Sequence, residues 1–396
     1  MKKSLSIACL AGAVSAIAWS QLAKKELPPP FATPSVNNRP QVVERPAGAE
    51  LTVPAGFKIE EVASGFERPR YMILGPSGEL VMSDSIANGS VYVLHDKNKD
   101  GKYEDRKAIL EKLDRPFGIA FWRDYIYVAE TTSLKRYKYD KKTMTAAVPG
   151  EEIVNMKDYG QGHWTRAVIF DAKGEKMYLT VGSKSNVDGG EPKDRAAIHR
   201  YNPDGSGHEL FAEGTRNPTS IHFYPGSNRL FAAVQERDLL GDDLVPDYFT
   251  EIKQGGFYGW PFAYIGPNED PRRKGEQPEL VKKTITPDLP LQAHVAVLDF
   301  AFYNGKMFPA KYQGGVFLAQ HGSWNRSRRV GYSVVFIPFK NGKIAGQPEE
   351  FLKGWMLAPD KREVWGRPVG VLPLPDGSLL LTDDGGSKIW RITYQG

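Results

Sequence analysis

The sequence predicts an all-β chain folded as a six-bladed β-propeller. Three observations carry that reading: one motif recurs six times, short β-branched and aromatic runs are broken by Gly, Asp, Asn and Pro, and helical periodicity is almost absent. The motif is an apolar strand, a turn containing Gly, an apolar inner strand, then a polar or acidic stop and another strand. Copies begin at Arg70 (RYMILGPSGELVMSD), Arg115 (RPFGIAFWRDYIYVAE), Thr165 (TRAVIFDAKGEKMYLTVGS), Arg216 (RNPTSIHFYPGSNRLFAAVQERD), Asp299 (DFAFYNGKMFPAKYQGGVFLAQHGS) and Arg367 (RPVGVLPLPDGSLLLTDD). Early copies are spaced by roughly 48 residues, and the longer gaps after the fourth and fifth leave room for insertions on one face.

A four-stranded unit of this size cannot bury both faces of its sheet alone, so the units must pack on one another around an axis. The last copy ends at the carboxyl terminus with IWRITY and lacks an outer strand. The segment FKIEEVA from Phe57 is expected to supply it and tie the ring shut.

The repeats occupy residues 51–396, expected as one propeller domain; residues 1–23 read as a signal peptide and 24–50 as a Pro-rich amino-terminal arm. Lys2 and Lys3 precede an apolar run from Leu5 to Trp19, and Ala16 and Ala18 offer a small-x-small cleavage site. The single cysteine, Cys9, lies in that leader, so the exported chain is expected to carry no disulfide and to reside in the periplasm or outside the cell. The leader is too short for a spanning helix. The formal charge of +5 is interspersed with acids rather than gathered in a basic run, which argues against nucleic acid and for, at most, a small anionic ligand.

In a propeller, polar groups at the ends of inner strands converge on the axis. Of the seven histidines, His163 stands out: GQGHWTR places it in a Gly-flanked loop just before an inner strand, beside Trp164 and Arg166. An imidazole there suits a general base for a hydroxyl. His199 and His222 lie within strand alternation and read as packed, while His95 and His208 read as turn residues. Further axial candidates are Arg216 and Asn217 in GTRNP, His321, Trp324, Asn325 and Arg326 in HGSWNR, and Arg367 in WGRPVG. Several strand-start arginines together make a cationic well suited to carboxylates. The loop QERDLLGDDLVPD carries Glu236, Asp238, Asp242, Asp243 and Asp247, oxygen donors of the type Ca²⁺ prefers. DKNKDGKYEDRK from Asp96 opens like a calcium loop but has Lys107 at the bidentate position, and it reads as a surface turn. Dinucleotide, phosphate-loop and serine-hydrolase motifs are missing.

The combination GHWTR, GTRNP, QERD with GDDLVPD, GGFYGWP, HGSWNR and WGRPVG, in that order from about Leu51 to Tyr394, resembles the soluble pyrroloquinoline-quinone-dependent glucose and sorbosone dehydrogenases, with the sorbosone dehydrogenase-like branch nearest. The resemblance implies a six-bladed periplasmic propeller that binds pyrroloquinoline quinone and Ca²⁺, oxidises an aldose or sorbosone-like sugar, and passes electrons to an external acceptor. It implies that His163 is the general base, that Arg216 and Asn217 lie beside the quinone with Arg216 in the catalytic set, and that Arg326 and Arg367 hold its carboxylates. A Gln near the cofactor in the glucose enzymes is matched here by Arg115 or Phe117. The Gly-Pro pair whose carbonyls hold the cofactor's calcium is matched by Arg237-Asp238, so these two would be the metal residues. Two other readings stay open: a calcium-dependent lactonase, which needs an axial set of acids around one metal, and a non-catalytic binding propeller.

Overall fold

The computed structural model describes residues 26–396; the leader reading, including Cys9, lies outside the described residues. Six sheets of at least four antiparallel strands account for most of the chain. Their innermost strands are Pro69–Leu74, Ile119–Trp122, Val168–Phe170, Asn217–Phe223, Val297–Phe302 and Pro368–Pro373, one in each of the six repeats. Among the described residues the only α-helix is Pro278–Lys283, and no helix is long and apolar enough to cross a membrane.

The ring closes through the strand Phe57–Ser64, which pairs antiparallel with Lys388–Tyr394 in the register Phe57↔Tyr394 and Ile59↔Ile392. The first strand of the domain is thus the outer strand of the sixth blade, so no blade is left with an open edge toward its missing neighbour. Phe57 packs edge-on against Phe308, Tyr312, Phe351 and Tyr394, which ties the closing strand to blades 5 and 6 together.

Near the axis the inner strands approach backbone to backbone. A methyl group on Gly118 would lie 2.5 Å from the Arg166 carbonyl, and one on Gly370 would lie 2.2 Å from the Arg70 carbonyl. Hydroxyls stitch the seams: Ser83 Oγ donates to the Phe117 carbonyl (2.9 Å), Thr219 Oγ1 to Val297 (3.0 Å) and Thr382 Oγ1 to Arg70 (2.6 Å). The acidic stop of the repeat also acquires a physical reason. Asp84 and Asp383 each accept a backbone N–H from the chain entering their own blade, at Arg68 (2.5 Å) and Arg367 (2.6 Å), while Glu130 accepts from Asp114 at the same position of blade 2.

Because neighbouring strands alternate in direction, the loops that enter each inner strand and those joining second to third strands all lie at one end of the ring, here called the axial face. Every sequence candidate for chemistry falls on these loops. The opposite mouth of the channel opens into a cavity of about 440 Å³ with walls such as Ile73, Phe121, Ile169 and Phe302 and with His222 and Asp299 in its lining.

The insertions differ from the one-face expectation. Residues 253–288 leave blade 4 at the end opposite the axial face, add the short strand Gly256–Phe257 to blade 3, and climb the outer edge until Arg272 reaches the Asp238 carbonyl on the axial face (2.9 Å). The segment from Phe31 to Val43 crosses the rim of that face. It bonds to Leu240 through Phe31 N–H (2.8 Å), to Trp324 through Asn38 N–H (2.7 Å), and pairs Gln41–Val42 parallel with Glu363–Val364.

Candidate active site on the axial face

His163 enters the site from the loop before blade 3. Its Nδ1 lies 2.8 Å from the Ser183 carbonyl and 3.0 Å from Ser183 Oγ, and that hydroxyl donates to the Ser185 carbonyl at 2.7 Å. Both Ser183 oxygens therefore accept, Nδ1 carries the proton, and Nε2 keeps its lone pair with no hydrogen-bond partner among the described residues. Burial, reinforced by the Arg216, Arg195 and Arg166 charges, lowers the His163 pKa to about 3. The imidazole is neutral at any ordinary pH.

The loop under His163 is held by two arginines, of which Arg166 donates to the His163 carbonyl (2.8 Å) and Arg195 makes the larger set of bonds. Arg195, buried and without a carboxylate partner among the described residues, donates to the carbonyls of Gly182 (2.8 Å), Tyr159 (2.7 Å), Gly160 (3.1 Å), His163 (3.1 Å) and Ser183 (2.8 Å). The sequence reading missed Arg195; nothing in its neighbourhood, EPKDRAA, distinguishes it from a surface turn residue.

Arg216 and Asn217 face the same region from blade 4. The guanidinium of Arg216 bonds to Asp238 Oδ2 (2.9 Å), Asn186 Oδ1 (3.0 Å) and the Glu236 carbonyl (2.6 Å). Asn217 donates to Gln235 Oε1 at 2.9 Å, while its own Oδ1 is buried without a partner. Asp238 Oδ1 accepts from Asn325 at 2.6 Å, and Asn325 in turn lies 3.2 Å from His294 Nδ1. A second group closes the ring through blades 5, 6 and 1. His321 Nε2 bonds to Asp384 Oδ1 (2.7 Å), Asp384 Oδ2 pairs with Arg70 (2.5 Å), and Arg70 stacks over Trp164, next to His163 (5.1 Å). Arg70 and Arg216 hold an electrostatic role together with their acids; the Asp384 carboxyl is held well below the usual carboxylate range by Arg70 and His321 against its burial.

Arg367, like Arg195, has no carboxylate partner among the described residues. Its guanidinium bonds to the carbonyls of His321 (3.2 Å) and Gly322 (3.3 Å) and lies over the Tyr332 ring at 5.7 Å. Burial lowers its pKa, against the opposing pull of the nearby Asp384 charge.

The structure brings His163, Arg216, Asn217, His321, Asn325 and Arg367 together and corrects the other assignments. Arg326 turns away: its Nη1 bonds to the Asp243 carboxylate (2.8 Å) and to the Asp242 carbonyl, and its own carbonyl receives Asn38, so it fastens the rim. Arg115 is exposed in a left-handed turn (φ 50°) with no side-chain partner among the described residues, because the turn directs its N–H to Ile86 and its side chain to solvent. Arg237 is fully buried away from the axis, paired with Glu236 (2.9 Å) and Asp270 (3.1 Å). The main-chain carbonyl of Asp238 already accepts from Asn186 (3.0 Å) and Arg272 (2.9 Å), and both its carboxylate oxygens are taken. Of the Arg237-Asp238 pair only the Arg237 carbonyl lacks a donor among the described residues, so this pair does not make the calcium ligand set. In DKNKDGKYEDRK, Asp96 accepts backbone N–H groups from Asp100 (3.1 Å) and Gly101 (2.8 Å), as a turn-forming side chain does.

Asp384, Arg70 and His294 were also missed as site residues. Arg70 had a signal: RPRY, RPFG and RPVG align, which puts Arg70 where Phe117 and Val369 stand in blades 2 and 6.

Comparison with known proteins gives a consistent assignment. The family model described as TrAA12-like matches residues 51–243 and 269–395. An uncharacterised protein of Borreliella burgdorferi is 31% identical over 361 residues, covering 87% of this chain and 91% of that protein. The pyrroloquinoline quinone-dependent pyranose dehydrogenase of Coprinopsis cinerea is 25% identical over 343 residues, covering 73% of this chain but only 45% of that protein. Among solved structures, a calcium structure of the Trichoderma reesei member of Carbohydrate-Active Enzymes Family AA12 superposes with a TM-score of 0.76 at 19% identity, over 91% of this chain and all of that one. The holo pyranose dehydrogenase PQQ domain of Coprinopsis cinerea superposes with a TM-score of 0.71 at 20% identity, over 90% of this chain and 99% of that one. These two structures share the fold of this chain, and the family match spans nearly all of the propeller: the chain belongs to the TrAA12-like family.

Proposed function

We propose that the chain is a pyrroloquinoline-quinone-dependent sugar dehydrogenase that oxidises an aldose or a sorbosone-like sugar and delivers the electrons to an external acceptor. The observation that carries the proposal is the pairing, on one face, of a neutral imidazole with an open Nε2 lone pair and a half-buried guanidinium, Arg367, with no carboxylate hydrogen-bonded to it among the described residues. The printed names of the Coprinopsis cinerea relatives support it, as does the sequence resemblance.

The residues fit a planar polycarboxylate. Arg367 offers an unpaired guanidinium, and Arg70 keeps a buried Nε without a partner. The quinone, when bound, supplies the two-electron acceptor for a hydride leaving the sugar carbon. His163 Nε2 takes the proton from the sugar hydroxyl as its C–O bond becomes C=O. The Ser183 carbonyl and Arg195 fix the ring so that this lone pair, and no other, points outward. Arg216 keeps a positive charge beside the reacting region and limits how long the imidazole stays protonated, which favours passing the proton on. No step is assigned to Ca²⁺, because all the oxygens of Asp238 are committed to other bonds and only the Arg237 carbonyl of the pair is left without a donor among the described residues.

The lactonase alternative is weakened by the same network: Asp238, Asp384 and Glu236 are each paired with an arginine and are not gathered around one vacant point. An exported location is part of the proposal and rests on the leader sequence. The test is reconstitution of the purified chain with the quinone, followed by a panel of aldoses, sorbosone and lactones with an artificial electron acceptor. Sugar-dependent reduction that is lost in His163→Ala supports the proposal; lactone hydrolysis without quinone, or no reduction with any sugar, overturns it.

A further inference from the structure

A second group of chemistry-bearing side chains lies in blade 3, away from the axial ring. His199, in the strand Ala197–Tyr201, is fully buried. Its Nε2 is 2.9 Å from the main-chain carbonyl of Asp194, and its Nδ1 is 2.9 Å from Nε2 of His208. A carbonyl can only accept, so Nε2 of His199 carries the proton and Nδ1 presents a lone pair to His208. His208 is exposed at the strand-connecting turn but is not a loose surface residue. Its ring stacks on buried Tyr201 at 4.8 Å with an interplanar angle of 17°, and on His199 at 5.2 Å. The carboxylate of Asp194, beside the Tyr159 hydroxyl, completes the group: one ligand atom from each of Asp194, His199 and His208 lies within 4.8 Å of the others.

We propose that Asp194, His199 and His208 form a binding site for one divalent transition-metal ion of the Zn²⁺ type, with water in the fourth position. Two imidazole nitrogens and one carboxylate are the donor set such ions take. The remote N–H of His199 on a backbone carbonyl is the support that metal-bound imidazoles characteristically have, since it fixes both tautomer and ring orientation. Two nitrogens on a tetrahedral ion would stand about 3.3 Å apart, so the observed N–N separation needs to open by only a few tenths of an ångström. Without an ion, the contact is an N–H···N bond in which His208 donates; the ion replaces that proton. His208, at the surface, gives the entry path. Arg166 adds positive charge nearby, which opposes a bound cation.

The site would matter to the axial face through one covalent neighbour. Asp194 precedes Arg195, whose guanidinium holds the carbonyls of Tyr159, Gly160, His163 and Ser183. An ion on Asp194 therefore pins the residue that positions the His163 loop. The inference stands on this geometry alone and does not depend on the quinone chemistry.

The test uses the untagged, purified chain from residue 24 onward, titrated with Co²⁺ and followed by visible absorption, with Zn²⁺ as competitor. We expect a single Co²⁺ with the intense bands of tetrahedral nitrogen and oxygen ligation, displaced by Zn²⁺. His208→Ala and Asp194→Asn should each weaken binding by roughly tenfold or more, while His163→Ala should leave it unchanged. Zn²⁺ should also raise the Tm of the wild-type chain and not that of His208→Ala, each compared with its own metal-free Tm. No binding at micromolar metal, binding unchanged in both ligand variants, or binding lost in His163→Ala would each overturn the proposal. Failure of quinone reconstitution would leave these readouts unaffected.

Discussion

His163 and Asn217 approach each other across Gly182, which has no side chain to keep them apart. A methyl group there would fall 2.6 Å from His163 Cβ and 2.3 Å from Asn217 Oδ1. The two residues come from different blades, and this small residue lets an imidazole and a buried amide share the axial face. Gly182→Ala should therefore shift the His163 loop while leaving the blades intact, because the neighbouring strand Met177–Val181 is packed independently of it. A displacement of about 1 Å at a catalytic base costs on the order of 100-fold in rate. Sugar-dependent turnover should fall by that order in Gly182→Ala with Tm lowered only slightly. Unchanged turnover would show that the His163–Asn217 spacing is not critical.

Protonation of His163 links the site to stability. Its folded-state pKa of about 3 lies below the ordinary 6.5, so the unfolded chain binds a proton between these values and the folded chain does not. This contribution is neutral above about pH 6.5 and destabilises progressively as pH falls toward 3, by up to about 1.4 kcal/mol per pH unit. His163→Gln removes that penalty. Denaturant unfolding at pH 7 and pH 5 should show the wild-type chain losing more stability than the variant on acidification. Parallel losses would mean that the imidazole is protonated in the folded protein.

Arg237, expected as a metal residue, has a different role in the structure. Buried with Glu236 and Asp270, it is a structural cation, and removing it leaves two carboxylates in the interior. Breaking such a pair costs about 3–5 kcal/mol. Arg237→Ala should lower the unfolding free energy by that amount, read from the denaturant midpoint. Chelator should leave quinone affinity unchanged if, as the bonding of Asp238 indicates, this pair holds no calcium. A chelator-dependent loss of quinone binding would contradict that.

The fold was legible because its signal is repeated. Six copies of the same strand-and-turn grammar set the blade count, and the unpaired IWRITY strand required a partner that only the start of the domain could offer. The site was legible where a short loop feeds an inner strand, as at His163, Arg216 and Arg367. It was illegible where identity depends on what a long side chain can reach. Arg367 and Arg115 both stand before a proline that leads toward an inner strand, in WGRPVG and RPFG, yet one is drawn to the His321–Gly322 backbone and the other extends into solvent. Arg326 lies one residue from Asn325, which faces the axial network, but Asp243 is close enough to capture it. The Asp384–Arg70 pair joins residues 314 positions apart, a relation set by ring closure and absent from any local motif.

The difference between Arg367 and Arg326 yields a comparison within one protein. Both are arginines of the axial-face loops, and the family resemblance implied that both hold the carboxylates of a cofactor. Arg367 has only carbonyl partners at 3.2 and 3.3 Å, so an incoming carboxylate would improve its bonding. Arg326 already has a carboxylate at 2.8 Å and would have to surrender it. A charge-assisted hydrogen bond contributes about 1.5–3 kcal/mol, so Arg367→Ala should weaken quinone binding by roughly 10- to 100-fold, with Arg367→Lys intermediate because it keeps the charge and loses the fork. Arg326→Ala should leave quinone affinity within about twofold of wild type and instead loosen the rim, where its backbone carbonyl meets Asn38 and its neighbour Ser327 bonds to Asp242. Proteolysis of the segment 31–43 should accelerate in Arg326→Ala and not in Arg367→Ala. Equal losses of quinone affinity in the two variants would return Arg326 to the cofactor and require its side chain to leave Asp243 on binding.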